Sequence, residues 1–168
     1  TFNQEVCEKM ALWNERPVIF ALSNPTSKAE CTAEEAYTWT NGACIFCSGS
    51  PFPDVTLNGR TFMAGQVNTA FIFPGVGLAA LTAGMNKITD HDMLLAAETL
   101  ATFVKPEQWN KGCLYPPLTE IRIVNATIAK VIASHAYETG MATKPKPRDM
   151  MAAVRAQMYD PFDMDIYD

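Results

Sequence analysis

Residues 16–37 have the sequence RPVIFALSNPTSKAECTAEEAY, which begins with the apolar run Val18–Leu22. The run has no polar alternation, and this favours a central strand covered on both faces, as in a parallel sheet. A buried helix segment has the same pattern over so few residues. Pro17 and Pro25 bound the run too closely for a helix, so the sequence predicts a strand here.

A polar loop follows the predicted strand at once and leads into a capped helix. Ser23 and Asn24 open this loop. Thr32 and Glu35 have the spacing of a capping box, in which each side chain bonds the backbone of the other residue, so a helix is predicted over about residues 33–38. Ligands in open α/β sheets bind at the loops that leave the carboxyl ends of strands. Ser23 and Asn24 are therefore candidate ligand-binding residues.

The rest of the pattern predicts an α/β fold, with a partial doubly wound, Rossmann-like parallel sheet and a C-terminal helical segment. The start of the chain alternates helix, strand, helix and strand, and this alternation predicts the parallel sheet. Asn58-Gly59 predicts a hairpin. An acidic tail, residues 161–168, is predicted to pack on a neighbouring surface or to fray. The other predicted elements are helices at 4–13, 70–84, 91–104 (capped by Asp90), 119–139 and 148–159, a strand at 43–47, and loops at 65–68 and 106–117.

Composition narrows the class of protein. Apolar residues make up 48 % of the 168 residues and charged residues 18 %, as in a soluble globular domain. The net charge of −5 argues against a nucleic-acid partner, and no apolar run approaches the roughly 18 residues that span a membrane. Five irregularly spaced cysteines indicate a reducing compartment rather than a disulfide framework. The chain starts at Thr1 inside a predicted helix, which favours a fragment or a processed product.

Residues 75–80 form the pattern G-x-G-x-x-A, a candidate dinucleotide-binding fingerprint. Pro74 stands where the strand before such a fingerprint would end, and no strand with a ribose-binding acid follows about twenty residues later. The two glycines, Gly75 and Gly77, are therefore predicted to allow close packing of a helix.

Two further motifs have an ordinary packing interpretation. Cys44 and Cys47 form a C-x-x-C pair, but a lone pair cannot complete a four-coordinate zinc site, so packing cysteines are predicted. His91 lies between two aspartates in a first helical turn and is predicted to be solvated. His135 lies on an apolar helix face and is predicted to be a core residue with satisfied nitrogens. Neither histidine has a suitable serine or cysteine partner nearby in the sequence, so a triad hydrolase is unsupported.

Asn24 and Asn68 each allow two interpretations. An asparagine side chain offers both donors and an acceptor, and its NH₂ group can hold a carboxylate without adding charge. Two such loops over one pocket would orient a hydroxy acid for reaction. Asparagines also cap turns, and the residues alone leave both interpretations open.

Three segments together carry a family resemblance. They are SNPTSKAECTAE at residues 23–34, GSPFPDV at 49–55 and GQVNTAFIFPGVGL at 65–78. Over residues 2–159 the chain resembles the C-terminal part of malic enzyme. The first segment is long and specific enough that chance is a poor explanation for the similarity.

The resemblance implies roles for loop residues. It implies that Asn24 and Asn68 contact the substrate, and that Ser23, Asn24, Asn68 and Thr69 contact the nicotinamide cofactor. In the family a second asparagine usually stands at the position of Thr69, and a small residue at the position of Val67. A threonine can donate one hydrogen bond there, but not the two of an amide.

The reaction implied by the resemblance is the oxidation of malate with NAD or NADP, followed by loss of CO₂ to give pyruvate with the help of Mg²⁺ or Mn²⁺. In the family layout the acid–base lysine and tyrosine, and the Glu-Asp-Asp metal ligands, lie upstream of Thr1. The resemblance therefore implies a fragment that is inactive alone. Residues 1–115 would end the NAD(P)-binding domain, and residues 116–168 would form a terminal helical segment that packs on it. The full-length enzyme would be a homo-oligomer, usually a tetramer, in the cytoplasm, a chloroplast or a mitochondrion.

Two alternatives belong to other classes of protein. A non-catalytic α/β interaction module could keep the fold and lose the site, as Val67 and Thr69 would allow. Another two-domain dehydrogenase with a similar sheet is disfavoured by the length of the SNPTSKAECTAE segment. A dinucleotide glycine loop and a Glu-Asp metal pair in the preceding sequence would favour the malic enzyme.

Overall fold

Residues 2–160 are described by the computed structural model, and they fall into two compact units. One unit comprises residues 2–69 and 101–118, and the other comprises residues 70–100 and 119–160. The prediction for the tail at 161–168 lies outside the described residues. In chain order the elements are α1 (Gln4–Trp13), β1 (Val18–Ala21), α2 (Ala33–Trp39), β2 (Ile45–Ser48), β3 (Val55–Leu57), β4 (Arg60–Phe62), β5 (Gly65–Gln66), α3 (Phe73–Ala83), α4 (Asp90–Ala101), α5 (Pro106–Asn110), α6 (Ile121–Glu138) and α7 (Met150–Arg155).

Three parallel strands of the first unit form a sheet in the order β1-β2-β5. Val18 lies opposite Ile45 and Ala21 opposite Ser48, which confirms the parallel sheet and the strand predicted from the apolar run. Within the described residues, however, the central strand is β2, which is buried at all four positions. Strand β1 is at the edge, and Val18 at its start is 47 % exposed.

An aromatic cluster forms the core between α2 and the sheet. The fully buried Tyr37 of α2 stacks on Phe62 with 4.7 Å between the ring centres, and it meets Phe46 of β2 edge-on at 6.1 Å. Its hydroxyl donates to the Met63 carbonyl at 3.1 Å. Burial raises the pKa of Tyr37, so the phenol stays protonated and keeps this hydrogen bond.

Local sequence signals in the first unit are confirmed. The Glu35 N–H donates to the Thr32 hydroxyl oxygen at 3.1 Å, and the Thr32 N–H donates to the Glu35 carboxylate at 2.8 Å, which are the reciprocal bonds of a capping box. Asn58 and Gly59 join the antiparallel strands β3 and β4 with φ angles of 52° and 76°. Helix α1 has the predicted bounds.

Two short elements lie where loops were predicted. Strand β5 occupies the start of the predicted 65–68 loop, and helix α5 lies in the predicted 106–117 loop. Two residues are too few to show a strand period, so the β5 prediction failed for want of a pattern. Its close approach to β2 requires glycine, because a Cβ atom on Gly65 would lie 2.7 Å from Cys47 Sγ.

Helices α3, α4, α6 and α7 make up the second unit, where α3 packs against α6. Pro74 lies in the first turn of α3, where its missing N–H costs no helix bond. The Gly75 N–H donates to Asn125 Oδ1 at 2.6 Å, and Asn125 Nδ2 donates to the carbonyls of Ala70 and Ile121 at 2.8 and 2.9 Å. One buried amide therefore satisfies three backbone groups at the contact of these two helices.

Helix α4 begins with a different cap from the one predicted. Thr89 Oγ1 accepts from the Asp92 N–H at 3.3 Å, and Asp92 Oδ2 accepts from the Thr89 N–H and hydroxyl at 2.8 and 2.7 Å. The predicted cap, Asp90, is an exposed residue of the first turn. The helix ends at Ala101 rather than Val104, and α6 and α7 lie within their predicted ranges.

All five cysteines are free and buried. Burial raises the pKa of Cys44 to about 11 and that of Cys47 to about 12. Cys44 and Cys47 are 3 % and 0 % exposed, which agrees with the predicted packing role. No helix in the described part of the chain has both the length and the apolar character needed to cross a membrane.

Candidate functional site

Three loops leave the sheet of the first unit at the edge formed by the carboxyl ends of its strands. Strands β1, β2 and β5 are parallel, so their carboxyl ends lie on the same side. The Gly49 N–H donates to the Ala21 carbonyl at 3.2 Å, and the Val67 N–H donates to the Ser48 carbonyl at 2.8 Å. These bonds hold the loops side by side at the position where open α/β sheets bind ligands.

Asn24 is held by the loop that follows β2. Its Oδ1 accepts a hydrogen bond from the Ser50 hydroxyl at 2.5 Å. Its amide lies against the backbone of Gly49, because a Cβ atom there would be 2.8 Å from Asn24 Nδ2. The peptide bond from Asn24 to Pro25 is cis. The contacts within the described residues thus engage Oδ1, while the side chain as a whole is exposed.

Ser23 closes its own loop through Glu30. The Ser23 hydroxyl donates to Glu30 Oε1 at 2.6 Å, and the Ser23 N–H donates to Oε2 at 3.2 Å. The bond from the Ser23 side chain, with backbone N–H groups assisting, lowers the pKa of Glu30. Because its proton is directed at Glu30, Ser23 can offer a ligand its hydroxyl oxygen as an acceptor.

Asn68 and Thr69 follow β5 and are exposed. Thr69 begins a single 3₁₀ turn, Thr69–Phe71. Strand β2 lies between β1 and β5, so the usual strand spacing separates the Asn24 and Asn68 loops by about 10 Å. All four predicted site residues therefore lie in loops at the same edge of the sheet. The Asn24 and Asn68 amides and the Thr69 hydroxyl can donate to carboxylate or carboxamide oxygens without a net charge, whereas Ser23 offers an acceptor.

Sequence reasoning missed three contributors to this edge. Gly49 and Ser50 lie in the GSPFPDV segment and Glu30 lies in the SNPTSKAECTAE segment, but no role was predicted for any of the three. The available signal was position, since Gly49 and Ser50 follow a strand of the same sheet. The pairing of Ser50 with Asn24 joins residues 26 positions apart, and no local pattern indicates it.

The G-x-G-x-x-A pattern lies in helix α3 of the second unit. A 3₁₀ turn rather than a strand precedes this helix. The packing prediction is confirmed for Gly75, where a Cβ atom would lie 2.8 Å from the Asn125 carbonyl oxygen. It is wrong for Gly77, where a Cβ atom would meet nothing within 4 Å.

The histidines lie together in the second unit. His135 Nδ1 is 3.3 Å from Asp92 Oδ1, so one ring nitrogen has a partner, but the side chain is 21 % exposed and lies at the margin of the core rather than within it as predicted. His91 is exposed, as predicted, and its ring centre lies 4.7 Å from that of His135. Among residues 2–160, no group of three or more His, Cys, Asp or Glu side chains is placed to hold a metal ion.

Comparison with known proteins identifies relatives of one kind. Residues 1–137 match the family described as "Malic enzyme, NAD binding domain". The chain is 50 % identical over 161 residues to the NADP-dependent malic enzyme of Vitis vinifera, which covers 95 % of this chain and 27 % of that protein. It is 51 % identical over 162 residues to the chloroplastic NADP-dependent malic enzyme of Solanum lycopersicum, covering 96 % and 28 % of the two chains.

Solved structures show the same fold. The malic enzyme of Pyrococcus horikoshii aligns with a TM-score of 0.65 at 23 % identity, over 92 % of this chain and 30 % of that one. The malic enzyme of Entamoeba histolytica aligns with a TM-score of 0.68 at 22 % identity, over 92 % and 28 %. The chain thus spans little more than a quarter of the length of the relatives that it matches.

Proposed function

This chain belongs to the malic enzyme family, and from that membership we propose that it forms part of an oxidoreductase that converts malate to pyruvate and CO₂ with a nicotinamide cofactor. The observation that carries the proposal is the edge of the sheet where the loops of Ser23–Asn24, Gly49–Ser50 and Val67–Asn68 lie side by side. A parallel sheet uses this edge for ligands.

Binding and orientation are the proposed roles of these loops. Asn24 and Asn68 would donate amide N–H groups to malate, and Ser23 and Thr69 would join them around the nicotinamide ring. Neutral donors suit this task because they hold a carboxylate or a carboxamide without shifting the charge at the reacting carbon. Orienting two reactants in one site lowers the entropic part of the barrier.

A nicotinamide cofactor fits the donors and acceptors of this edge. When bound, it would accept the hydride from malate. The named relatives are NADP-dependent enzymes, which supports NADP as the cofactor of the complete gene product. The divalent metal is different, since the described residues do not include a set of ligands for it.

The setting of the complete gene product is also part of the proposal. The resemblance supports a homo-oligomer. Of the cytoplasmic and organellar locations that it allows, the chloroplastic relatives favour an organelle. We propose that acid–base and metal-binding groups come from a part of the enzyme beyond these residues, because the relatives are more than three times as long as this chain.

Residues 1–168 alone are therefore expected not to turn over malate. The assay would supply malate, Mn²⁺ and either NAD or NADP, and would follow reduced cofactor and pyruvate. The complete gene product, assayed in parallel, is expected to form both. Robust pyruvate formation by the isolated chain would contradict the proposal that acid–base and metal-binding groups lie beyond these residues. No pyruvate formation by the complete gene product would contradict the proposed reaction.

Asn24→Ala in the complete gene product is expected to raise the KM for malate and to lower kcat. A lost positioning hydrogen bond near the reacting carbon costs about 1–3 kcal/mol, or about 5- to 150-fold in kcat/KM. Asn86→Ala, which truncates an exposed asparagine in the second unit, is the matched control. Unchanged kinetics for Asn24→Ala would remove Asn24 from the site.

A further inference from the structure

Ser50 has an unusual position for a serine in a loop. It is only 7 % exposed, and its hydroxyl donates to Asn24 Oδ1 at 2.5 Å. The preceding serine, Ser48, is fully buried and donates its own hydroxyl to the Ser50 carbonyl at 2.6 Å. The backbone that carries the Ser50 hydroxyl is therefore itself held in place at the end of β2.

The bond from Ser50 engages the oxygen end of the Asn24 amide. The oxygen and nitrogen of an amide are nearly equal in size, so packing alone does not select between two orientations related by a half turn. Gly49 lets the amide lie close to the backbone but likewise makes no distinction between its ends. In the structure the Ser50 hydroxyl donates to Oδ1, which engages the oxygen and leaves the two N–H groups of the amide as donors for a ligand.

From this geometry we propose that Ser50 is a positioning residue, which holds the Asn24 amide by its oxygen so that the two N–H donors serve an acceptor oxygen of the ligand. The inference rests on the proposed function, in which Asn24 binds a reactant. Two acceptors share this chemistry: a carboxylate oxygen of malate and the carboxamide oxygen of the nicotinamide. Ser50 touches neither and acts through Asn24.

A double-mutant cycle in the complete gene product tests the proposal. Ser50→Ala, Asn24→Ala and the double variant are compared by kcat/KM for malate at saturating cofactor, and by kcat/KM for the cofactor at saturating malate. Ser50→Ala is expected to lower kcat/KM about tenfold, as for the loss of one hydrogen bond, in the same measurement that Asn24→Ala affects. The measurement that changes identifies which acceptor oxygen Asn24 binds.

The distinctive expectation is non-additivity. Once Asn24 is alanine there is no amide to orient, so adding Ser50→Ala should produce no further loss. A residue with a merely structural role would instead lower kcat/KM by the same factor in both backgrounds. Thermal melts of each variant, and Ser27→Ala as an exposed serine of the Asn24 loop, separate a loss of stability from a loss of orientation.

Each outcome bears on a different claim. If Asn24→Ala impairs the enzyme and Ser50→Ala does not, or if their losses multiply, the positioning role of Ser50 is refuted while the site survives. If Asn24→Ala leaves both kcat/KM values unchanged, the proposed placement of Asn24 is refuted and the role of Ser50 with it. Equal losses in one measurement, without a further loss in the double variant, support the proposal.

Discussion

Replacing Asp92 with alanine is expected to reduce the free energy of unfolding of this chain by about 3–4 kcal/mol, the largest effect predicted here for one substitution. Asp92 is fully buried, and its carboxylate accepts from the Thr89 N–H at 2.8 Å and from the Thr89 hydroxyl at 2.7 Å. It also faces His135 Nδ1 at 3.3 Å. Truncation would therefore remove the Asp92 half of the reciprocal cap and leave the Thr89 and His135 groups without their acceptor.

Asp90→Ala is the matched control for this variant. Asp90 lies in the same first turn but is exposed, so its loss removes only an interaction with the helix dipole, worth about 0.3–1 kcal/mol. Denaturant unfolding of both variants measures the difference. Similar losses for Asp90→Ala and Asp92→Ala would show that charge near the helix start matters and that the buried bonds do not.

The Asp92 interactions also predict a pH dependence. Burial alone would raise the pKa of Asp92, but hydrogen bonds from Thr89 and His135 outweigh it and hold this pKa below its ordinary value of 3.8. A carboxyl with a depressed pKa contributes stability above its unfolded pKa, and this contribution is lost as the pH falls through the folded pKa. Asp92→Asn should therefore flatten the decline in unfolding free energy below about pH 4. If Asp92→Asn and the unchanged chain lost unfolding free energy in the same way at acid pH, the Asp92 carboxylate would not be the cause of this pH dependence.

Gly75→Ala is expected to destabilise the chain by about 2–3 kcal/mol. The new Cβ atom would lie 2.8 Å from the Asn125 carbonyl oxygen and 2.9 Å from Ile128 Cβ and Cγ2, so α3 and α6 would have to move apart. The separation would also strain the buried 2.6 Å hydrogen bond from the Gly75 N–H to Asn125 Oδ1.

Gly77→Ala should have the opposite sign. It lies in the same helix, two residues further on, and a Cβ atom there meets nothing within 4 Å. Alanine is a better helix former than glycine by about 0.5–1 kcal/mol, so this variant should be slightly stabilised. Denaturant unfolding of Gly75→Ala and Gly77→Ala, measured in parallel, gives the free energy of unfolding of each variant. Equal shifts for the two alanines would contradict the close approach of α3 and α6.

Much of the fold follows from patterns within a few residues. The apolar run at Val18–Leu22 became strand β1, and the Thr32 and Glu35 side chains capped α2. The Asn58-Gly59 turn formed its hairpin, and the long apolar period near the end of the chain became α6. These predictions succeeded because short-range hydrogen bonds and one-sided burial are sufficient to specify such elements.

The predictions that failed depended on distant neighbours. Strand β5 exists because two of its residues pair with β2, and neither residue has a strand pattern alone. Gly75 and Gly77 are indistinguishable in the sequence motif, yet only Gly75 faces Asn125. The cap of α4 is the exception, because Thr89 and Asp92 have the local spacing of a capping box and the prediction of Asp90 overlooked it.

The candidate site shows the same division. The sequence by itself determined the strand, the loop residues Ser23 and Asn24, and the family to which their pattern belongs, because these are written in contiguous residues. Only the tertiary structure decided which way Asn24 is held, since Ser50 approaches it from the next strand of the sheet. Orientation of an amide depends on a hydrogen-bond partner brought close by strand pairing, and that partner has no fixed distance along the chain.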